Sequence, residues 1–339
     1  MKKILVLGGT GFVGAHVCEK LVRDGWHVTV PTRVRSNARH LQHLPPLTVL
    51  EMDVHDEVAL THAVAGHEAV VNLVAILHGT QAAFHRVHVA LPEKLANACL
   101  ANGVKQVVHI SALGVDAQHP ESAPSMYLRS KGQGEVVLRQ AASGGAAGGV
   151  AGVGFELTCL RPSVIFGAAD QFLNLFAGLQ KVFPIMPLAG AQARFQPVWV
   201  QDVATAVVRC VRPNRPGTPV DHAGIFELCG PDVFTLKQLV ALSGQLSGIA
   251  GGRGRWVFGL PNWLGRLQAA MMGWAPGKPL MSVDNLDSMK IDNVATGKYP
   301  GLTGLGIAPM ALRPVAQAYL GRHSAEEALT GLRSKATER

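Results

Sequence analysis

The chain has 339 residues, 48% of them hydrophobic, which is enough for one large domain and a smaller one. Its formal net charge of +8 predicts an anionic partner: a nucleotide phosphate, an acidic protein surface or anionic lipid. The five cysteines lack paired short spacings and the histidines lack metal-ligand grouping, which argues against disulfides and a metal site. No apolar run reaches the about 20 residues of a membrane-spanning helix. We therefore expect a cytoplasmic protein, free or peripheral on the inner face of the cytoplasmic membrane.

Short apolar runs alternate with helix-like segments through the first half of the chain. The runs that we predict as strands are residues 3–7, 27–30, 47–52, 69–74, 106–110 and 156–160. This alternation predicts parallel strands joined by helices, an α/β fold with a doubly wound parallel sheet of the Rossmann type. The glycine-rich stretch 141–154 predicts a surface insertion before the sixth strand.

A glycine turn, GGTGFVG, follows the first strand and opens a helix near Phe12. Such glycines permit a tight turn and let backbone amides approach a pyrophosphate at the positive end of the helix. The alternative is a lapsed site that keeps its glycines for packing. We predict a dinucleotide site formed by Gly8, Gly9, Thr10, Gly11, Phe12, Val13 and Gly14.

The end of the second strand indicates which dinucleotide is preferred. NAD-binding proteins usually place Asp or Glu there, whereas this chain reads PTRVR, with Arg33 followed by Arg35 and Arg39. Arginines suit a ribose 2′-phosphate, so we predict NADP(H) over NAD(H); the alternative is a solvated turn. Further nucleotide contacts are predicted after the third and fourth strands, at Asp53, Val54, Leu73, Val74 and Ala75.

The stretch YLRSK places Tyr127 four residues before Lys131, so both side chains share one helix face. A lysine ammonium and an oxidised nicotinamide both favour the phenolate and would lower the pKa of Tyr127. We predict a general acid or base at Tyr127. The alternative is two residues on the solvated face of a helix.

The motifs GGTGFVG, HISALG, YLRSK, LRPSVIFG and RFQPVWVQDVA occur in the order typical of the short-chain dehydrogenase/reductase superfamily. The chain resembles the extended or atypical branch of that superfamily. The last three motifs, with NLVAIL and DQFLNLF, most resemble the nucleotide-binding accessory subunits of respiratory complex I and their bacterial relatives. The resemblance spans roughly residues 2 to 300.

The resemblance implies that the glycines hold the phosphates, Tyr127 is the acid or base, and Lys131 binds the nicotinamide ribose. Active members also carry a hydroxyl just past strand five. Here Ser111 lies beside the strand, and the catalytic serine positions look like Ala112 and Leu113. Ser111 is therefore a third catalytic candidate, in a constellation that is incomplete or displaced.

Three other positions complete the predicted site. His88 stands where the family usually has asparagine in the preceding helix. Arg161 and Pro162 carry the sixth strand into the site; Pro162 is a predicted cofactor contact, and Arg161 is either a ligand contact or an ion-pair partner. We divide the chain into a Rossmann domain (1–170), remaining strands intermixed with a small α/β substrate-type domain (171–322), and a polar tail (323–339).

Residues 252–281 carry three tryptophans and several cations but no acid. We predict a helix from Pro261 with Trp263, Leu264, Leu267 and Met271 on one face. This stripe suits a membrane interface or an apolar ligand cleft; the alternative is the core or lid of the small domain. The aromatics do not alternate with cations, which argues against nucleic-acid binding.

Two functions follow from this reading. One is a nucleotide-binding structural or sensing protein on a respiratory or quinone-linked membrane complex. The other is a slow NADPH-dependent reductase or epimerase that acts on an apolar carbonyl or quinone-like compound through Tyr127 and Lys131.

Overall fold

The computed structural model describes residues 2–144, 154–211, 223–261, 263–267 and 282–321. The chain forms two compact units. Unit 1 comprises Met1–Ser163, Val200–Leu228 and Ala295–Ala308, and unit 2 comprises Val164–Trp199, Cys229–Val294 and Pro309–Arg339. Each unit therefore draws on three separate stretches of the chain. The proposed tail 323–339 lies outside the described residues.

The described strands, in chain order, are β1 Lys3–Leu7, β2 His27–Thr32, β3 Leu47–Glu51, β4 Ala69–Asn72, β5 Gln106–Ile110, β6 Glu156–Pro162, β7 Ile165–Phe166, β8 Ile185–Leu188, β9 Arg194–Phe195, β10 Val198–Trp199, β11 Gly224–Leu228, β12 Phe234–Thr235 and β13 Trp256–Gly259. The labelled α-helices are α1 Phe12–Arg23, α2 Glu57–Val64, α3 Gln81–His85, α4 Leu91–Ala101, α5 Met126–Ala142, α6 Leu173–Val182, α7 Val200–Cys210, α8 Leu236–Leu246 and α9 Val283–Ser288. Short 3₁₀ segments cover Arg35–Leu41, Pro120–Ser122 and Leu302–Leu305, and a π-helical segment covers Arg86–Ala90.

Unit 1 is built on a seven-stranded sheet in the order β11-β6-β5-β4-β1-β2-β3, with every neighbouring pair parallel. The predicted doubly wound α/β fold is confirmed. Strand order reverses at β1, which lies between β4 and β2. In sheets of this type the crevice at the carboxyl ends of such strands is where ligands bind.

All six predicted strands of the first half are present, with small differences at their ends. Strand β4 stops at Asn72 instead of Val74, because the Asn72 side-chain oxygen accepts a hydrogen bond from the Val74 amide at 3.2 Å. A local bond of this kind turns the backbone away from the ladder. Every residue of β4 is buried, as expected for a central strand covered on both faces.

Unit 2 contains three two-stranded ribbons, namely β7–β10, β9–β12 and β8–β13, together with α6 and α8. Its core includes Phe176, Leu239 and Leu320. The buried Asp170 carboxylate organises the loop before α6: it accepts bonds from the amides of residues 167, 172 and 174 and from the Tyr319 hydroxyl at 2.7 Å. Tyr319 lies in a helix over residues 312–321.

Among the helices of the described residues, none combines the length and hydropathy that a membrane-spanning segment requires. All five cysteines are free and buried.

Candidate functional site

The glycine turn at the end of β1 is shaped by contacts that side chains would block. Gly8 has φ +80°, a backbone conformation that suits glycine, and its carbonyl accepts a bond from the Gly11 amide at 3.0 Å. A Cβ on Gly14 would lie 2.2 Å from the Gly8 oxygen and 2.6 Å from the Gly9 Cα. The third glycine therefore allows α1 to pack directly against the turn.

Helix α1 begins at Phe12 without a side-chain cap and without an acid in its first turn. Its amino-terminal amides face the carboxyl edge of the sheet at the switch point, where they suit the phosphates of a dinucleotide. Thr10, Phe12 and Val13 are partly buried, and Gly11 is exposed.

The turn also lies close to the segment after β4, as the sequence predicts. A Cβ on Gly8 would come within 3.2–3.3 Å of backbone atoms of Leu73 and Val74. Leu73 and Val74 are partly buried, and Ala75 is exposed. These residues therefore border the same crevice as the glycines.

Arg33 follows the last residue of β2 and is exposed, as are Arg35 and Arg39 on the adjoining 3₁₀ segment. The sheet register also sets Glu51, the last residue of β3, opposite Thr32. An acid that the sequence places far downstream of Arg33 is thus brought to the same edge of the sheet.

Asp53 lies just beyond β3. Its carboxylate accepts a bond from the His55 amide at 3.0 Å and is 3.7 Å from the Arg86 guanidinium. Both charged side chains are largely exposed, so this ion pair contributes little stability. The neighbouring Val54 packs against the hydrophobic core of unit 1.

Helix α5 carries Tyr127 and Lys131 to the carboxyl end of β5. The helix is capped by Ser125, whose hydroxyl accepts a bond from the Leu128 amide. Lys131 is only 1% exposed, and its Nζ donates a 2.6 Å bond to the Ile110 carbonyl, the last of β5. Burial lowers the pKa of Lys131 to about 8, although Glu135 opposes the shift. The lysine fixes the helix to the strand that precedes Ser111.

In the protein without bound nucleotide the pKa of Tyr127 is raised; the predicted lowering, which also invokes an oxidised nicotinamide, stays a prediction for the nucleotide complex. Burial raises the pKa of Tyr127 to about 12. The phenolate is disfavoured because the ring packs against Ala112, Val115 and other apolar groups, while the Lys131 ammonium bonds a backbone carbonyl. Tyr127 is therefore a neutral phenol at pH 7.

His88 is held neutral between two partners. Its Nε2 accepts a bond from the Ile76 amide at 3.1 Å, and its Nδ1 lies 2.9 Å from the Ser130 hydroxyl. Ser130 in turn donates to the Tyr127 carbonyl, so the proton resides on His88 Nδ1. Burial, assisted by the charge of Lys131, lowers the pKa of His88 to about 3. His88 thus joins the loop after β4 to helix α5.

The π-helical segment around His88 has a local cause. Pro92 has no amide hydrogen, and inside a helix its ring would clash with the carbonyl four residues earlier, which belongs to His88. That carbonyl lies against Gly134, where a Cβ would be 2.0 Å from the oxygen. Pro92 and Gly134 therefore set how closely the π-helical segment approaches α5, a relation that the sequence alone did not suggest.

Ser111 is 4% exposed, and its amide donates to the Leu160 carbonyl at 2.8 Å. Its hydroxyl is buried without a hydrogen-bond partner in the described structure. His109, two residues earlier, bonds the Asn72 side chain through Nδ1 at 3.2 Å, while its Nε2 is also unpaired. The structure brings Ser111 next to the Lys131 anchor, but encloses the hydroxyl in the protein.

Arg161 forms a buried bidentate ion pair with Glu135, with distances of 2.9 Å and 2.5 Å. Its guanidinium also lies 5.2 Å from the centre of the Tyr299 ring. Of the two roles predicted for Arg161, a ligand contact or an ion-pair partner, the structure shows the ion pair. Glu135 is one turn beyond Lys131 and was not identified from the sequence, where only its i, i+4 spacing from Lys131 could have marked it.

Pro162 is buried, and its carbonyl accepts a bond from the Leu113 amide at 3.0 Å.

A cleft of about 800 Å³ is bordered by α3 and α5, and its lining does not include Tyr127, Lys131 or His88. Its lining includes the apolar Phe84 and Met126, the polar Ser130, and the cations Arg86 and Arg129. The cleft lies entirely within unit 1.

The arrangement has two parts: the glycine turn at the end of β1, and a buried polar cluster at the end of β5 in which Lys131, His88, Arg161 and Glu135 are hydrogen-bonded. The glycine turn fits a dinucleotide diphosphate, because Gly11 is exposed there and the first amides of α1 have no side-chain cap. No group of three or more His, Cys, Asp or Glu side chains in the described ranges could hold a metal ion.

Residues 4–223 match the NAD dependent epimerase/dehydratase family. The chain is 30% identical to the mitochondrial NADH dehydrogenase [ubiquinone] 1 alpha subcomplex subunit 9 of Mus musculus, covering 94% of this chain and 79% of the relative. It is 25% identical to the mitochondrial NADH-ubiquinone oxidoreductase 40 kDa subunit of Neurospora crassa, covering 93% and 78%.

A solved structure of similar fold is the NADPH-dependent quinone oxidoreductase QOR2 of Escherichia coli in complex with NADPH. It has a TM-score of 0.68 and 20% identity, over 93% of this chain and 99% of that one. The resemblance stated from the motifs is confirmed. Because the family match spans more than half of the chain, this protein belongs to the NAD dependent epimerase/dehydratase family.

Proposed function

We propose that this protein binds NADP(H) and serves as a structural or sensing component of a respiratory or quinone-linked membrane complex. The observation that carries the proposal is the contrast within unit 1. The glycine turn and the exposed Arg33 are available to a nucleotide, whereas Lys131 and His88 are buried and bonded to other parts of the protein. The 30% identity to a subunit named as part of NADH dehydrogenase supports the association with a complex.

Binding without turnover is favoured by the state of the proton-handling residues. Tyr127 has a raised pKa, Ala112 and Leu113 occupy the usual serine positions, and the Ser111 hydroxyl is enclosed. An efficient general acid or base needs a pKa near the working pH. Under this proposal Lys131 holds α5 to the end of β5 through its bond to the Ile110 carbonyl.

A second candidate is a slow NADPH-dependent reductase or epimerase. It is supported by the retained Tyr127–Lys131 spacing on α5. Loss of one hydrogen-bond donor to the substrate oxygen lowers the rate about 10²–10³-fold, which leaves measurable activity. An apolar carbonyl or quinone-like substrate is the class to test.

The cofactor test is titration of the protein with NADPH and NADH, followed by nucleotide fluorescence. We expect tighter binding of NADPH, and Arg33→Ala should weaken it about tenfold or more because a charge-assisted hydrogen bond to the 2′-phosphate is lost. NADH binding should change little. Equal loss for both nucleotides would contradict the NADP(H) preference.

The turnover test supplies quinones and apolar carbonyl compounds with NADPH and follows the loss of NADPH absorbance. The structural or sensing role predicts no oxidation above the background without protein. Turnover that Tyr127→Phe abolishes would instead establish the enzyme. Nucleotide binding by Tyr127→Phe, measured in the same samples, separates lost chemistry from lost binding.

A further inference from the structure

Unit 2 exposes a run of large apolar side chains at the start of the β8–β13 ribbon. We name this surface the ribbon patch and define it by Val182, Phe183, Ile185 and Trp256. Their exposed fractions are 74%, 51%, 48% and 69%. Single exposed apolar residues are common on protein surfaces, so the patch is informative only if its members are neighbours.

The sheet register makes them neighbours. Ile185 of β8 is the direct partner of Trp256 in β13; Val182 ends α6, and Phe183 and Pro184 connect it to β8. The Trp256 ring also contacts the Phe258 ring, with centroids 4.9 Å apart. The patch is therefore one continuous surface.

The opposite face of the same ribbon already fills the core of unit 2. Met186, Leu188 and Val257 are buried in the core cluster, in alternation with the exposed positions. The exposed side chains are thus not required for core packing in this unit.

The chain around the patch is cationic. In the sequence, residues 233–283 contain no Asp or Glu; the described cations among them are Lys237, Arg253, Arg255 and Arg266, and Arg266 lies 3.4 Å from Asp287. Arg253 is exposed three residues before β13 begins, and Lys181 directly precedes Val182. Arg255 is tied to the unit through a 3.1 Å bond from its Nε to the Gln180 carbonyl.

Two members of the predicted stripe after Pro261 also face outward, and a third, Leu264, is partly buried. Trp263 is 68% exposed and Leu267 is 52% exposed. The alternative prediction, that the stripe packs in the core of the small domain, is therefore wrong for these two side chains. Met271, the fourth member of that stripe, lies outside the described residues. The Leu260 amide bonds the Leu188 carbonyl, which places this stretch directly beyond the far end of the ribbon.

We propose that the ribbon patch is a docking surface for an anionic lipid bilayer. Tryptophan and long apolar side chains partition into the headgroup boundary, while flanking Lys and Arg attract anionic headgroups. The absence of acids over residues 233–283 complements a negatively charged surface. This inference rests on the proposed function for its biological setting, but its evidence lies wholly within unit 2.

The test is flotation of the full-length protein with phosphatidylcholine vesicles that contain or lack phosphatidylglycerol. We expect binding only to the anionic vesicles and a decline as salt is raised, because exposed charges are screened. The double variant Ile185→Glu/Trp256→Glu should reduce the bound fraction at least about tenfold, since it removes apolar contacts and adds repulsion. Val58→Glu is the matched control, because Val58 is 68% exposed on α2 of unit 1.

A charge variant tests the electrostatic part separately. Arg253→Glu should lower the partition coefficient about fivefold or more, the change expected when a cation near an anionic membrane is lost. Lys105→Glu, at an exposed cation of unit 1, should change it much less.

NADPH binding is measured on every variant. If the protein does not bind vesicles at low salt, or if the double variant binds them fully, the proposal that the ribbon patch docks on a bilayer is overturned. Intact NADPH binding in that case would leave the proposed nucleotide function standing. Binding to neutral vesicles alone would also overturn the proposal, because the cations would then have no role.

Discussion

The two parts of the site in unit 1 are built on different principles. At the carboxyl end of β1 the chain leaves a glycine turn, an uncapped helix start and the exposed Arg33. At the carboxyl end of β5 the polar groups are buried, and most of them bond one another: Lys131 to Ile110, and Arg161 to Glu135. The first region is available to a ligand, and the second stabilises the fold. This contrast is the basis of the proposed function, in which unit 1 binds a nucleotide without turnover.

The largest expected effect comes from breaking the buried cluster at Glu135. Glu135→Gln leaves the 5% exposed Arg161 side chain without its counter-charge, so the free energy of unfolding should fall by about 3–5 kcal/mol. Urea unfolding measures this change. Glu19→Gln removes an exposed i, i+4 pair with Arg23 and should cost less than about 1 kcal/mol. Equal losses in both variants would contradict the structural role of the buried pair.

The next effect tests the glycine turn. Gly14→Ala adds a methyl group that would lie 2.2 Å from the Gly8 oxygen. Because of this clash, the free energy of unfolding should fall by about 1–3 kcal/mol. NADPH binding should be lost with it, because α1 is displaced from the turn. Gly178→Ala in α6 is the control: a Cβ there meets nothing within 4 Å, and it should gain up to about 1 kcal/mol. Normal NADPH binding by Gly14→Ala would show that the turn is not the nucleotide site.

A third test uses pH on the cluster around His88. Its pKa falls from 6.5 to about 3 on folding, so below pH 6.5 the unfolded chain binds a proton that the folded chain does not. The stability that neutral His88 contributes is complete above pH 6.5 and is lost as the pH falls toward 3, with a slope approaching about 1.4 kcal/mol per pH unit. His109, whose pKa burial also lowers, adds a slope of the same sign.

Urea unfolding between pH 6.5 and 5 measures this dependence while most carboxylates are still ionised. His88→Asn should reduce the slope, because one of the two buried histidines is gone. An unchanged slope would mean that His88 does not resist protonation in the folded protein.

The smallest effect concerns Ser111. Its hydroxyl has no partner in the described structure, so Ser111→Ala should change the free energy of unfolding by less than about 1 kcal/mol or increase it. Ser130→Ala should cost about 1–3 kcal/mol, because it removes the hydroxyl that bonds His88 Nδ1. A larger loss at Ser111 than at Ser130 would reveal an essential role for the Ser111 hydroxyl.

The sequence predicted the parallel sheet and the glycine turn because both follow from local patterns. Apolar runs such as Ala69–Asn72 and the spacing of Gly8, Gly11 and Gly14 need no long-range information. The motif order also identified the family correctly. Each of these patterns lies within a short stretch of sequence. The alternation of apolar runs and helical segments also recurs in every βαβ unit.

The buried cluster could not be predicted in the same way, since its partners are distant along the chain. Glu135 and Arg161 are 26 residues apart, and His88 and Ser130 are 42 apart. The raised pKa of Tyr127 in the protein without nucleotide could not be predicted, because the spacing of Tyr127 and Lys131 does not reveal burial. The π-helical segment requires both Pro92 and Gly134, which meet only in the folded protein.

Calorimetric titration of the intact protein with NADPH, with NADH in parallel, tests the central claim most directly. The account predicts measurable heat with saturation at one nucleotide per chain, tighter binding of NADPH than NADH, and no heat with Gly14→Ala. Absence of heat from both nucleotides with folded wild-type protein would contradict it.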